Sequence, residues 1–462
     1  MGTVYEHSLG RQLQFYVSKE SVLGTFNPPA TGDSMRIIKV AMDPKVNRKN
    51  RRDSYMATRD TEERITGRSE HSWAVDAYYV PSGVKTTAPD CGPFLEALFG
   101  KELVGSNDVT YSQLSSQTLK SLSLTRRIEG KIMETMWGCV PESMTFKCSG
   151  SDEPKIHFEG RAKGYVQTGY STLNGGMSAT NQMHVQTADY NMFGVNSVVK
   201  IDADDGTSDE GYQITVDHAT GSITAFANGG GGTVTATSGA HGLTNGQSVI
   251  ISGTTNYNGT FVVSSVATNT FKFTDTWVAD DGTGTWNRAF TIVAANDGGA
   301  ASVSEIDTDT VVPWTPTFTD VGVPMTGISG SLTWDNLDIS ALVTGFEFTV
   351  KANNKYVDDS CFQQDMIDAI PGFFDITGKV DVRLRSDFVV KLLNRKDFGS
   401  LALAVVVGGA AQTGTRLEIA VGQLEQEYTP IDIPESEESV LSIPIYALGT
   451  ATGNDSFTWK HT

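Results

Sequence analysis

The sequence predicts a mainly β fold, and three observations carry that prediction. Short runs in which apolar and polar side chains alternate recur along the chain, which is the period of a half-buried strand. Glycine is abundant, 47 residues against 15 prolines, a balance suited to many strands joined by tight turns. Helical spacing is confined to a few short segments. At 462 residues the chain exceeds one ordinary core, so several domains are expected.

Taken in order, the first strand signal is "MRIIKVAMDPKVNRKN" at 35–50, which ends in an Asn/Lys-rich turn. "SEHSWAVDAYYV" at 69–80 follows, with Trp73, Val75, Ala77 and Tyr79 on one face and Glu70, Ser72 and Asp76 on the other. After a Pro-Ser-Gly turn, "APDCGPFLEALFGKEL" places Cys91, Phe94, Leu95, Leu98 and Phe99 at helical spacing. Asp90 is placed to cap the start of this helix and Gly100 to close its end. The oily stripe is expected to cover the Trp73 face.

The same grammar returns late in the chain. "DITGKVDVRLRSDFVVKLLNRKDFGSL" at 375–401 gives an alternating strand and then a short helix carrying Phe388, Leu392 and Leu393. Ile-Thr-Gly-basic stands at 65–68 and again at 376–379. An Asn/Lys-rich turn precedes each copy, and an acidic turn into a strand follows each: "SGSDEPKIHFEGRAK" and "PESEESVLSIPIYAL". An internal duplication is the reading.

Between the copies the character changes. The four Asn-Gly dipeptides lie there or, for 174–175, at its border, in segments alternating Thr with Val, and Asn-Gly favours tight hairpin turns. "QSVIISGTTNYNGTFVVSSVATNTFKF" reads as a three-stranded meander, so 226–290 is expected to be an inserted small β-barrel with Gly229–Gly232 as its entry linker. Residues 176–225 and 291–319 read as two parts of one connecting β-domain. The outer units are 1–175 and 320–462.

The chemistry-bearing residues point away from catalysis. Seven histidines are scattered without ligand spacing, and the four cysteines form neither close pairs nor a disulfide framework. "DADDGTSDEG" at 202–211 lacks a carboxylate at the first position of a calcium loop and reads as an acidic turn. No nucleophile elbow or phosphate loop is present. We therefore predict no catalytic, cofactor-binding or metal-ligating residue. The formal charge of −19 argues against a protein that grips nucleic acid. The longest apolar run, Leu401–Ala411, is too short to cross a bilayer. The N-terminal stretch lacks the pattern of a secretory signal, so synthesis in the cytoplasm is expected. The basic cluster Lys45, Arg48, Lys49, Arg51 and Arg52 lies in a long excursion between two strands, suited to docking on acidic surface of a sister subunit.

Four segments together resemble the tail tube protein of long non-contractile-tailed bacteriophages. They are "GRSEHSWAVDAYYVPSG" with "PDCGPFLEALFG", then "GCVPESMTFKCSGSDEPKIHFEGRAKGY", and in the second copy "ITGKVDVRLRSDFVVKLLNRKDFG". The resemblance implies two tandem tail-tube-like β-sandwich or barrel domains, each with a short helix. It implies a virion protein made in the bacterial host, whose three-copy rings act as pseudo-hexamers and stack into a hollow tube for DNA. Tape measure, tail terminator and distal tail proteins are the implied partners, with no membrane. The cluster at 45–52 would reach the neighbouring ring. Glu70, Ser72, Asp76 and Asp381 become candidate lumen-facing residues, and an anionic wall would let DNA slide by giving it no cations to bind. The competing readings are a carbohydrate-binding tail adhesin, for which Trp277 and Trp286 are candidate surface aromatics, and a glycan-degrading tail enzyme.

Overall fold

The computed structural model describes residues 13–50, 64–114, 119–128, 132–179, 182–185, 187–202, 211–295, 309–319, 322–326, 329–335, 337–357, 368–384, 401–427, 439–449 and 456–462. Strands dominate it, and α1 (Gly92–Phe99) is the single α-helix among the described residues. The first region contains β1 (Leu13–Lys19), β2 (Lys39–Asn50), β3 (Arg64–Tyr78), β4 (Gly100–Val104) and β5 (Val109–Gln113). It continues with β6 (Leu122–Ile128), β7 (Ile132–Ser149), β8 (Lys155–Ala162) and β9 (Gly164–Thr168).

Strand β7 belongs to two sheets in turn. Its first half pairs with β6 and β9, and its second half with β8. The change falls at Gly138, whose φ of 64° is a conformation that side chains disfavour. A Cβ there would also stand 2.6 Å from Lys163 Cβ. Glu20 locks this corner. Its carboxylate accepts the Gly138 N–H (2.7 Å) and the Gly24 N–H (2.9 Å), and the Ser121 (2.5 Å) and Ser123 (2.8 Å) hydroxyls donate to it. Burial outweighs these donors and raises the Glu20 pKa.

Helix α1 buries Phe94, Leu95, Leu98 and Phe99 against the sheet. Phe94 stacks on Phe158 at 4.8 Å and lies 5.4 Å from Trp73, so the oily stripe covers the Trp73 face. Each such side chain contributes about 1.5–3 kcal/mol by leaving water. Gly100 closes the helix at φ 82°, its N–H donating to the Glu96 carbonyl. Asp90 is not the cap: the N-terminal residue is Cys91, without a side-chain capping bond, and Asp90 instead accepts the Arg36 N–H.

The middle of the chain forms two bodies. β10 (Ser171–Ala179), β11 (Gln182–His184), β12 (Val198–Asp202) and β13 (Gly211–Val216) lie before the insertion. β14 (Ala219–Ile223), β15 (Ala225–Gly230), β16 (Thr233–Thr237), β17 (Ser248–Ser252), β18 (Gly259–Val262), β19 (Ser264–Ala267), β20 (Thr270–Thr274) and β21 (Gly284–Arg288) make up the insertion. β22 (Phe290–Ala294) and β23 (Asp309–Pro313) follow it. β10, β11, β22, β13, β12 and β23 close one barrel, so strands from both sides of the insertion share a wall.

The insertion is two four-stranded sheets, β14-β21-β17-β18 and β15-β16-β20-β19, around a core that includes Phe226, Tyr257, Phe271, Phe273 and Trp286. Three details differ from expectation. The sheets begin at Ala219, because β14 pairs along β21. Gly230–Gly232 form the turn of the β15–β16 hairpin with φ between 63° and 78°, and are not an entry linker. The expected meander is two hairpins, because the chain crosses between sheets at the buried Val263.

The last region contains β24 (Gly330–Trp334), β25 (Leu337–Asp338), β26 (Val343–Lys351), β27 (Lys355–Tyr356), β28 (Ala369–Ile370), β29 (Asp375–Arg383), β30 (Leu401–Gly408), β31 (Arg416–Gln426), β32 (Val440–Leu448) and β33 (Thr458–His461). Its pairing order, β24-β30-β31-β32-β29-β26 with β33 on β31, has the same form as β1-β6-β7-β8-β3-β2 with β9 on β7 in the first region. The helix expected after β29 lies outside the described residues.

One core joins the two regions, and β33 is part of the joint through its pairing with β31 and β5. Trp459 packs on Phe146 at 4.9 Å and on Tyr79 at 5.7 Å. The buried His461 lies 3.2 Å from the Tyr79 hydroxyl and 3.0 Å from Ser82 Oγ, and burial lowers its pKa to about 4.

Candidate assembly surfaces

The second half of β7 has two neighbours, β8 on one side and β26 on the other. The β26 contact runs from Gly345↔Ser149 to Lys351↔Ser143 and joins the two regions into one sheet, β2-β3-β8-β7-β26-β29-β32-β31. In the last region β26 is the strand that pairs with β29; in the first, β2 is the strand that pairs with β3. β26 has found a partner on its far side. β2 has none among the described residues.

That free edge carries Lys39, Val40, Met42 and Pro44. The Val40 carbonyl accepts from Arg126 on the side away from β3. Residues two apart on a strand turn the same way, so Pro44 also turns its missing donor to the free side, where a sheet tolerates proline. An unpaired strand of this length is a template for another chain. The opposite end of the sheet is β31 with β32, and the continuation past Glu427 lies outside the described residues.

Cross-strand pairing fixes which residues share a face. Asp76 stands opposite Lys39 and His157, His157 opposite Thr145, Thr145 opposite Thr349, and Thr349 opposite Thr377. Glu70, Ser72, Asp76 and Asp381 therefore lie on one face of one sheet. Trp73, Val75, Ala77, Val380 and Val382 are buried on the other.

That polar face is not an anionic wall. Lys39, Lys45, Lys147, Lys155, Arg161, Lys351, Lys379 and Arg383 share it with Asp43, Glu70, Asp76, Glu159, Glu347, Asp375, Asp381 and Glu425. Among the described residues this face carries no marked acidic excess. Opposite charges are interleaved and several are paired, Arg161 with Glu142 at 3.1 Å, and Glu347 with Lys379 at 3.6 Å and Lys147 at 3.8 Å, while His157 Nδ1 lies 2.6 Å from the Asp76 carboxylate. Exposed pairs of this kind contribute little stability, about 0–1 kcal/mol each. Their larger effect is to occupy Lys147, Arg161 and Lys379.

A shallow depression of about 410 Å³ on this face is lined by Asp43, Ser72, Glu142, Glu159 and Arg161. Burial raises the Glu142 pKa against the pull of Arg161. Ser143 Oγ donates to Glu159 at 2.7 Å, so both carboxylates are engaged by protein groups.

The basic cluster is divided. Lys45, Arg48 and Lys49 belong to strand β2, paired with Glu70, Thr66 and Ile65, rather than to a loop. β8 stops pairing with β3 at His71, so beyond that point β2 and β3 form a two-stranded arm. Lys45 and Arg48 are exposed on it. Arg51 and Arg52 lie outside the described residues.

Sequence reasoning missed the β7–β26 junction, since nothing local in either strand names a partner two hundred residues away. The two candidate surface tryptophans, equally open to a core role in sequence, lie in and against the insertion's core. Trp286 is 2% exposed and donates from Nε1 to Ser238 Oγ, and Trp277 packs against Tyr257. Among the described residues no cluster of His, Cys, Asp or Glu is placed to hold a metal ion, and no helix is long and apolar enough to cross a membrane. The sequence matches no known family model and no curated protein.

Proposed function

We propose that this chain is a structural subunit that closes into three-copy rings and stacks them into a hollow tube, in the manner of the phage tail tubes it resembles. Each chain supplies two tandem tube-like units, and the inserted two-sheet module is carried as a decoration. The observation that supports this best is the β7–β26 junction together with the unpaired edge of β2. A junction between units exists once inside the chain, and its counterpart needs another copy. Repeating the same step around an axis closes a ring, because a head-to-tail interface whose rotation closes leaves no edge exposed.

The polar face would then line the bore. Of its cations Lys147, Arg161 and Lys379 are held by carboxylates and the others are interleaved with acidic residues, so the face offers passing DNA little net positive charge and adhesion stays weak. Neutralisation, rather than net negative charge, supplies the non-stick wall. The two other readings gain no comparable support: of the adhesin's tryptophans Trp286 is buried in the core and Trp277 packs partly buried against it, and the carboxylates an enzyme would use are tied to Arg161 and Ser143.

Mass photometry across a dilution series tests the stoichiometry. Particles of three chains and multiples of three are expected. Single chains at every concentration, or a terminal two-chain particle, would exclude the ring.

A further inference from the structure

The junction inside the chain has a second component besides strand pairing. Where β26 begins, Val343, Thr344, Gly345 and Phe346 form a wall, and the β7–β8 turn of the first unit sits against it. Gly150 N donates to the Thr344 carbonyl at 2.8 Å, and Cys148 lies opposite Phe346. This turn is the acidic one, "SGSDEP" at 149–154.

The corresponding wall in the first unit is Ile37, Ile38, Lys39 and Val40. The correspondence follows from register: Val40 stands opposite Val75 and Val75 opposite Phe158, as Phe346 stands opposite Val380 and Val380 opposite Ile443. This wall borders a cavity of about 550 Å³ that is also lined by Leu13, Arg36, Tyr78 and Phe318. Ile38 is 46% exposed there, and Lys39 is exposed.

We infer that this cavity is the seat for the acidic segment "PESEES", residues 434–439, of a second copy of the chain. The segment precedes β32 as "SGSDEP" precedes β8, so it is the counterpart of the turn already seated once within the molecule. Charge complements the fit: Glu435, Glu437 and Glu438 would meet Lys39 and Arg36 at the rim, while Ile37, Ile38 and Leu13 offer apolar walls. The contact rests on the ring reading and adds to it a specific lock between copies.

Two measurements test it. In a Cys361→Ser background, Ile38→Cys and Glu437→Cys are combined and treated with a short bismaleimide. Covalent two- and three-chain products are expected, with two-chain products also from a mixture of the two single variants. Three-chain particles by mass without any cross-link between copies would overturn the seat and leave the ring intact. Cross-linking confined within one chain would overturn it as well, and particles that never exceed one chain would remove the ring and the seat together. The second measurement follows charge. Lys39→Glu should raise the concentration needed for half-assembly about tenfold at low salt, and adding Glu437→Lys should restore it. Failure of the exchanged pair to restore assembly would contradict the pairing.

Discussion

At Asp90 burial outweighs the favourable neighbours. The carboxyl accepts the Arg36 N–H, yet loss of solvent raises its pKa from 3.8 to about 6. A folded-state pKa above the unfolded one means the folded chain holds the proton more tightly between those values. Stability from this group is complete below about pH 4 and is lost as pH rises through 6. The loss is of order 3 kcal/mol, from about 1.4 kcal/mol per pKa unit. Asp90→Asn keeps an acceptor for Arg36 without the charge. It should be more stable than the parent by about 2–3 kcal/mol at pH 7 and no more stable at pH 3, in urea melts at the two pH values. Equal differences at both would show that Asp90 is not the titrating group. The sequence offered Asp90 as a helix cap because Asp before an apolar helix has that form; which way its side chain turns depends on Arg36, more than fifty residues earlier.

At the scale of elements, the β2–β3 arm is the clearest functional feature. A two-stranded hairpin is marginal in water without a surface to pack on, so a projecting arm with Lys45 and Arg48 exposed calls for an acidic dock. Reversing the charge of Arg48, which lies beyond the Val40–Lys45 edge, should leave three-copy rings intact and weaken their stacking by about tenfold at low salt, less at high salt, measured by sedimentation. Unchanged stacking would remove the docking role. The individual strands and α1 were legible because alternation and helical spacing are local. The alignment of the two copies was not. Tyr78 and Arg383 stand opposite the first residues of β8 and β32, which makes Ile376 the counterpart of His71. The two Ile-Thr-Gly triplets are therefore out of register, and the first copy's extra hairpin length is the arm. The glycine run at 229–232 was likewise ambiguous in sequence, since a linker and a hairpin turn both favour glycine.

For the whole molecule, the decisive features are a run of eight strands within a 17-stranded sheet, unpaired at β2 among the described residues, and a polar face of interleaved opposite charges. Face assignment in β3 and β29 could be read from alternation, and it placed Glu70, Ser72, Asp76 and Asp381 together. Lys379 and Arg383 of β29 were legible in the same alternation; the full balance of charge was not, because the other cations come from β2, β7, β8 and β26, strands whose order in the sheet is set by long-range pairing. Net charge described the chain; the sheet order decides what each surface presents. Cryo-electron microscopy of the assembled particle, at a resolution that traces strands, tests the closure most directly. Val40–Lys45 of each copy should pair with the segment that follows Glu427 in the next, giving one unbroken sheet around three copies. A particle in which β2 pairs with another β2, or lies unpaired at the surface, would contradict it.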